Sequence, residues 1–351
     1  MNKLVALILA TMVLIACNKQ DKSNKQTEQM PKEVELLGAG ATFPYPFYSK
    51  LFDEYHKLKG IKVNYQAIGS GGGIRQIINN TVDFGGTDAF MNEEEMSKIN
   101  EGVAHIPTCL GAVVLTYNLE GNPNLLLTGE IISDIFLGKI KKWNDNKISE
   151  LNPEANLPDL SISVVHRSDG SGTTFIFSDY LSKISKEWNE KVGRGKSLNW
   201  PAGIGGKGNQ GVAGLIQQTP GSIGYAELIY ATSNHMPFAK VQNKSGNFIL
   251  PSEKSVSLAA DIEMPDDTRV SLTNTEAPNG YPISSFTWLV LYKNMSFDEN
   301  KAKTLIEMVD WMIHDGRKYA EALHYAPLPD AAVLKAEKIL KTLKNNGKVI
   351  L

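Results

Sequence analysis

Cysteine is scarce in this sequence, with only Cys17 and Cys109 among 351 residues. A disulfide scaffold is therefore excluded, and a chain of this length can bury enough apolar surface to fold without one. Charge of either sign is not in excess: 36 Lys and Arg stand against 38 Asp and Glu, for a formal net charge of −2. No global field is available to hold nucleic acid or anionic lipid, so any site for an anion must be local. The sequence lacks a long hydrophobic run, since the apolar stretch from Leu4 to Ala16 falls short of the roughly 18 to 20 residues that a membrane span needs. No repeat of fixed period is present.

Signatures of catalysis are missing as well. The six histidines, His56, His105, His166, His235, His314 and His324, show no H-E-x-x-H spacing, so no zinc ligand set is visible, and surface or capping roles are expected for most. Gly203-Ile204-Gly205-Gly206-Lys207-Gly208 fits G-x-G-x-x-G, but Trp200-Pro201 precedes it where a dinucleotide fold has a clean strand. Lys207 is followed by Gly208, and the glycine six residues before it is missing, so there is no Walker A loop. Two residues before Ser70 and Ser171 stand Ile68 and Asp169, which rules out a G-x-S-x-G nucleophile elbow. No metal and no cofactor is implied.

What is present begins at the amino terminus. Met1-Asn2-Lys3, the apolar run and Leu14-Ile15-Ala16-Cys17 read as a signal peptide over residues 1–17. The last four residues resemble a bacterial lipobox, whose cysteine takes a lipid, and the alternatives are a plain secretory signal or an uncleaved anchor. Several acyl chains on Cys17 would tether the protein without making it span the membrane. Residues 18–35, rich in Lys, Gln, Asn, Asp, Ser and Thr, read as a flexible tether. Cys109, in His105-Ile106-Pro107-Thr108-Cys109-Leu110, then has no partner and is expected to be a buried, inert thiol.

The body alternates short β-rich runs with helical patterns at glycine-marked junctions, which predicts an α/β fold of mainly parallel sheets flanked by helices; its length predicts two domains. Lys62 to Ile68 reads as a strand before Gly69-Ser70-Gly71-Gly72-Gly73 and the helical stretch Ile74 to Ile78. Ile162 to His166 runs into Arg167-Ser168-Asp169-Gly170-Ser171-Gly172-Thr173 and the amphipathic stretch Thr174 to Ile184. Leu36 to Phe43 leads through Pro44 and Pro46 into a helix over Phe47 to Leu58. Thr287 to Tyr292 is a buried-strand candidate. Lys301 to Ile313 and Ala331 to Leu343 are helical, with Leu305, Met308, Val309 and Met312 as a core stripe.

Three loop-to-helix junctions share one chemistry. A helix amino terminus offers N–H groups without intrahelical partners and the positive end of the helix dipole; glycine allows close approach, Ser and Thr add donors, and an Arg offers a planar fork. For each loop alone an ordinary N-cap and turn is the competing explanation, and spacing does not show that the loops converge.

Asp88, in Asp83-Phe84-Gly85-Gly86-Thr87-Asp88-Ala89, is out of place in an anion site unless it accepts a hydrogen bond from a ligand that carries a proton. Inorganic phosphate near neutral pH is protonated and sulfate is not, so Asp88 would select phosphate. The other role open to it is that of a turn former or cap. Asp169 either holds Arg167 in an ion pair or is a turn residue beside Gly170.

Gly38-Ala39-Gly40-Ala41-Thr42-Phe43-Pro44, Ile68-Gly69-Ser70-Gly71-Gly72-Gly73, Asp83-Phe84-Gly85-Gly86-Thr87-Asp88 and Arg167-Ser168-Asp169-Gly170-Ser171-Gly172-Thr173 together resemble the PstS-type phosphate-binding proteins of bacterial phosphate ABC importers. So do Phe136 to Trp143 and Gly205-Gly206-Lys207-Gly208-Asn209, and the likeness covers nearly the whole body. Gly71, where the family often has Ser, and Phe90, where Pro is common, are departures.

The resemblance implies a two-lobed periplasmic-binding-protein fold of the type II-like kind, with the ligand cleft between lobes joined by crossing hinge strands. Residues 36–112 plus 280–351 would form one lobe and 113–279 the other. It implies that Thr42 and Phe43 bind phosphate at one helix start, the latter through its N–H. Ser70 would donate its hydroxyl and N–H, Asp88 would accept the phosphate proton, and Arg167 would pair with the oxygens. Ser171, Gly172 and Thr173 would form a second helix-terminal nest, with Asp169 orienting Arg167. The implied partners are inorganic phosphate, the permease and ATPase of a phosphate ABC transporter, and a membrane reached through the lipid anchor on Cys17, but no nucleic acid. The protein is expected to be a monomer in the cell envelope, outside the cytoplasm and facing the periplasm where the cell has an outer membrane. The competing readings are a binder of another tetrahedral oxyanion, a phosphate sensor or adhesin, and a secreted phosphoryl-transfer enzyme, for which neither an activated nucleophile nor metal ligands are visible.

Overall fold

A computed structural model describes the chain from Val34 to Leu351. The expected signal peptide, Cys17 and the tether as far as residue 33 lie outside the described residues. Among the described residues no helix is long and apolar enough to cross a membrane.

Eight strands, β1 (Glu35–Gly40), β2 (Lys62–Ala67), β3 (Phe84–Thr87), β4 (Val103–Tyr117), β5 (Ser163–Arg167), β6 (Ile204–Gly206), β7 (Ser222–Glu227) and β8 (Ser284–Tyr292), form one sheet. Its order is β2-β1-β3-β8-β4-β7-β5-β6. The outer strands are parallel, β1 with β2 and β3 at one side and β5 with β6 and β7 at the other. The two central strands run antiparallel to their neighbours. β4 joins the halves: from Val103 to Ala112 it pairs with β8, and from Val113 to Tyr117 it pairs with β7. All fifteen of its residues are buried, as a run of Val, Ala, Ile and Leu covered on both faces must be.

Four of the parallel strands lead to a helix that packs back against the sheet. The helices are α1 (Tyr45–Lys59) after β1, α2 (Ser70–Ile78) after β2, α3 (Gly172–Ile184) after β5 and α4 (Gly208–Gln218) after β6. α1 starts beside Pro44 and Pro46, which suit a first turn because their missing N–H groups have no partner there anyway. It ends on Gly60 at φ +73° and buries Phe47, Tyr48, Leu51, Phe52 and Tyr55. α2 begins at Ser70, so the three glycines read from the sequence as loop are its first turn. The reason is steric: a Cβ on Gly73 would stand 2.5 Å from the Cα of Gly40, and only a bare backbone lets the helix lie this close to β1.

Two later helices, α5 (Glu299–Ile313) and α6 (Asp330–Leu340), complete the first half, and the stripe Leu305, Met308, Val309 and Met312 on α5 is fully buried. Opposite Thr287 and Trp288 the β4–β8 register slips by one residue, and Thr108 is the extra one. Pro107, which has no N–H for the ladder, sits at the slip. Cys109, one residue on, is buried, and burial holds its thiol well above its ordinary pKa.

Candidate anion-binding site

α1, α2, α3 and α4 all start at the carboxyl ends of parallel strands, and in open α/β sheets this edge is where ligands are held. The glycine turns before α2 and α3 meet there. Gly71 N–H donates to the carbonyl of Gly170 at 2.8 Å, so a loop of the first half hydrogen-bonds a loop of the second. Gly69, the residue before α2, has φ +85°, a conformation that favours glycine; a Cβ there would lie 2.4 Å from Asp169 Oδ2.

Two polar networks occupy the junction. In the first, the Ser70 hydroxyl donates to Asp88 Oδ2 at 3.2 Å, the Asp88 N–H donates back to Ser70 Oγ at 3.1 Å, and the Thr287 hydroxyl donates to Asp88 Oδ1 at 2.9 Å. Thr287 lies at the β-bulge. Gly172, the first residue of α3, closes against this group, since a Cβ on it would stand 2.3 Å from Ser70 Oγ and 2.5 Å from Asp88 Oδ2. In the second network, Arg167 donates from Nε to Asp169 Oδ1 at 2.8 Å, from one terminal nitrogen to Asp169 Oδ2 at 2.6 Å and from the other to Thr173 Oγ1 at 3.1 Å. The Gly208 N–H at the head of α4 also donates to Asp169 Oδ1, at 3.1 Å.

Asn209, which the sequence reading did not single out as a site residue, ties the halves together. Its Nδ2 donates to Thr42 Oγ1 at 2.9 Å and to Thr173 Oγ1 at 3.1 Å, while its Oδ1 accepts the Glu227 N–H at 2.9 Å. The signal for it in the sequence was its place at the end of Gly205-Gly206-Lys207-Gly208-Asn209, a stretch shared with the family that carries no role for the Asn by itself. Thr42 and Phe43 lie just before α1, and their carbonyls accept the hydroxyls of Tyr230 and Tyr325, both at 2.6 Å. The Ser171 hydroxyl caps α3 by accepting the Thr174 N–H at 3.0 Å. Gly172 and Thr173, adjacent on one turn, link the two networks.

The electrostatics are unusual for a buried cluster. Thr42, Phe43, Ser70, Asp88, Arg167, Ser171 and Thr173 are each at most 3% exposed. Burial pushes the Asp88 carboxyl up to about 7, against the pull of Thr287, Arg167 and Ser70. Burial also raises Asp169, but the bonds from Arg167 and Gly208 outweigh it and leave that carboxyl below its ordinary value. Arg167 is thus balanced by Asp169, and an anion held here would be met chiefly by N–H and O–H dipoles. Glu227, buried at the end of β7, caps the next helix turn by accepting the Ile229 N–H at 2.7 Å, and burial keeps its carboxyl well above the usual range.

The histidines have no part in the cluster. His105 departs from the expected surface role: it is 3% exposed, its Nε2 accepts the Met91 N–H at 3.0 Å, and burial pushes it down to about 3.

Gly172 gives a direct test of how tightly the loops close. Gly172→Ala keeps an ordinary helix start but forces a methyl group against Ser70 and Asp88, so anion affinity is expected to fall about tenfold or more and the melting temperature to fall with it. Equilibrium binding and thermal unfolding of the two proteins check it.

A family model described as a PBP superfamily domain matches residues 21–315. The "Phosphate-binding protein PstS" of Pasteurella multocida is 46% identical over 322 residues, covering 90% of this chain and 93% of its own. The protein of the same description from Xylella fastidiosa (strain Temecula1) is 42% identical over 349 residues, covering 94% and 95%. Among solved structures, a high-affinity periplasmic phosphate-binding protein bound with phosphate superposes with a TM-score of 0.72 at 22% identity, covering 90% of this chain and 96% of that one, a likeness of fold.

Proposed function

The chain belongs to the PstS family of phosphate-binding proteins, and from that premise we propose that it captures inorganic phosphate outside the cytoplasm and delivers it to the permease and ATPase of a phosphate ABC importer. The observation that carries this reading is Asp88, a carboxyl 2% exposed, set among helix amino termini and opposite a buried Arg. A site for a fully deprotonated anion has no use for such a group, whereas phosphate brings it a proton to accept.

In this reading Thr42 Oγ1 and the Phe43 N–H bind at the head of α1, Ser70 binds through its hydroxyl and N–H at the head of α2, and Ser171, Gly172 and Thr173 bind at the head of α3. Arg167, held by Asp169, pairs with the oxygens. The contacts now made between Ser70 and Asp88, and between Arg167 and Thr173, are those that the ligand would take over. The lobes are residues 36–112 plus 280–351 and residues 113–279, a division supported by the change of β4 partner between Ala112 and Val113. Closing one lobe on the other would bury the anion without chemical change.

We further propose that the protein is a monomer without catalytic activity, held at the membrane by lipid on Cys17. Incubation of the full chain with a phosphomonoester and with labelled phosphate tests the binding role: retention of labelled phosphate with no alcohol released is expected, and turnover of the ester would overturn it.

A further inference from the structure

Beyond the anion cluster the halves touch at several further places, the Arg269–Glu93 ion pair among them, and one of these contacts is built on the same loops as the cluster. Two residues after Asp88, Phe90 meets Phe175 of α3 edge to face, with ring centroids 6.0 Å apart at 70°. Phe175 is the fourth residue of the helix whose first residue closes on Ser70 and Asp88. Farther out, the Lys196 ammonium lies 2.6 Å from Glu95 Oε1 and 2.7 Å from Oε2, with both side chains 18% exposed.

Neither partner of this ion pair is a free surface charge. Glu95 is fixed by a capping box: Asn92 Oδ1 accepts the Glu95 N–H at 2.8 Å, and the Asn92 N–H donates to Glu95 Oε2 at 3.0 Å. Lys196 is fixed through its backbone, because its carbonyl accepts the Ser171 N–H at 2.8 Å, at the cap of α3. A cavity of about 360 Å³ is lined by both pairs and by Arg194. Two discrete contacts around a gap form a seam that can part and re-form, unlike a fused core.

We propose that Glu95–Lys196 together with Phe90–Phe175 is a latch that holds the cleft shut and sets the rate at which bound phosphate leaves. The proposal rests on the phosphate-binding reading above, because both ends of the latch are continuous with the loops assigned to the anion: Phe90 and Glu95 follow Asp88, while Phe175 and Lys196 are tied to the cap at Ser171. The latch touches no ligand atom and acts on the lifetime of the closed form. A partly buried, doubly contacted ion pair held by fixed backbone retains more of its Coulomb energy than an exposed one, and screening by salt weakens it.

The test is release of labelled phosphate from the full chain after dilution into excess unlabelled phosphate. Glu95→Gln keeps an acceptor for the capping box while removing the charge, and Lys196→Met keeps the stem. Each is expected to speed release about three- to tenfold, to do so less at high salt, and to leave the association rate nearly unchanged. The double variant is expected to release no faster than either single one, and Phe90→Ala, which spares the ion pair, to speed release by a similar factor. Release within about twofold of the unaltered chain in both single variants, or a double variant whose acceleration is the product of the two, overturns the latch. Failure of the unaltered chain to bind phosphate is a different result and would remove the reading on which the latch rests.

Discussion

Exchanging Arg167 for methionine lowers phosphate affinity at least about a hundredfold while leaving a folded protein. Arg167 is 3% exposed, and its guanidinium makes three hydrogen bonds, two to Asp169 and one to Thr173. Its removal takes the planar fork from the anion and leaves the Asp169 carboxylate without its ion partner in a half-buried position. Truncating one partner of a buried, hydrogen-bonded charge pair in a binding site costs about 2 to 5 kcal/mol of binding energy, and a factor of one hundred needs about 2.7. The two causes separate in the Arg167→Met, Asp169→Asn double variant. If the uncompensated carboxylate repels the anion, the double variant recovers part of the affinity; if the fork alone matters, it recovers none. Arg167→Lys keeps the charge but not the bidentate geometry, and a loss of about tenfold is expected. Equilibrium binding of labelled phosphate, with melting curves to check folding, measures all three.

Asp88→Asn makes the protein accept sulfate. In the closed form burial lifts the Asp88 carboxyl from an ordinary value of 3.8 to about 7. When the cleft opens and water reaches the group, it returns to the ordinary value. Closing on phosphate costs no free proton, because the ligand shares its own with the carboxylate. Closing on sulfate obliges Asp88 to take one from solvent, and at neutral pH that costs about three pH units of free energy, or discrimination of roughly a thousandfold. Asparagine carries its own N–H donors, so the penalty vanishes and sulfate affinity rises by about that factor. The same account predicts that exclusion of sulfate by the unaltered chain weakens about tenfold per pH unit as pH falls from 7 toward 4. Selectivity that is constant over this range would contradict it.

The sign for the empty protein follows from the same shift. The closed form has the raised pKa, so Asp88 contributes to its stability fully below about pH 3.8, and the contribution is lost as pH rises through about 7. At neutral pH the ionised carboxyl therefore favours an open, empty cleft, and phosphate supplies the proton that permits closure. Small-angle scattering of the ligand-free chain is expected to show compaction on acidification, and Asp88→Asn to remove the dependence.

The sequence carried much of this, but unevenly. Glycine turns followed by helical periodicity marked the starts of α1, α2 and α3 to within a few residues, because a helix start needs local chemistry that is written locally. The first turn of α2 was missed: Gly71, Gly72 and Gly73 read as loop by propensity, whereas contact with β1 makes them helix. Tertiary packing decided what local preference could not.

The meeting of the loops was beyond local reasoning. Gly71 and Gly170 are nearly a hundred residues apart, and their hydrogen bond depends on β4 changing partners in mid-strand. The role of Asn209 was hidden for the same reason: an Asn in the first turn of a helix is ordinary until Thr42 and Thr173 are seen on either side of it. Glu227 and His105 show the converse, polar side chains taken inside by a long buried strand and its neighbours rather than by any motif.

The most direct test of the central claim is calorimetric titration of the full chain, stripped of ligand by unfolding and refolding, with phosphate and then with sulfate near neutral pH. The account predicts tight binding of one phosphate per chain and no measurable heat from sulfate. Equal binding of both anions would contradict the role of Asp88, and binding of neither would contradict the site itself.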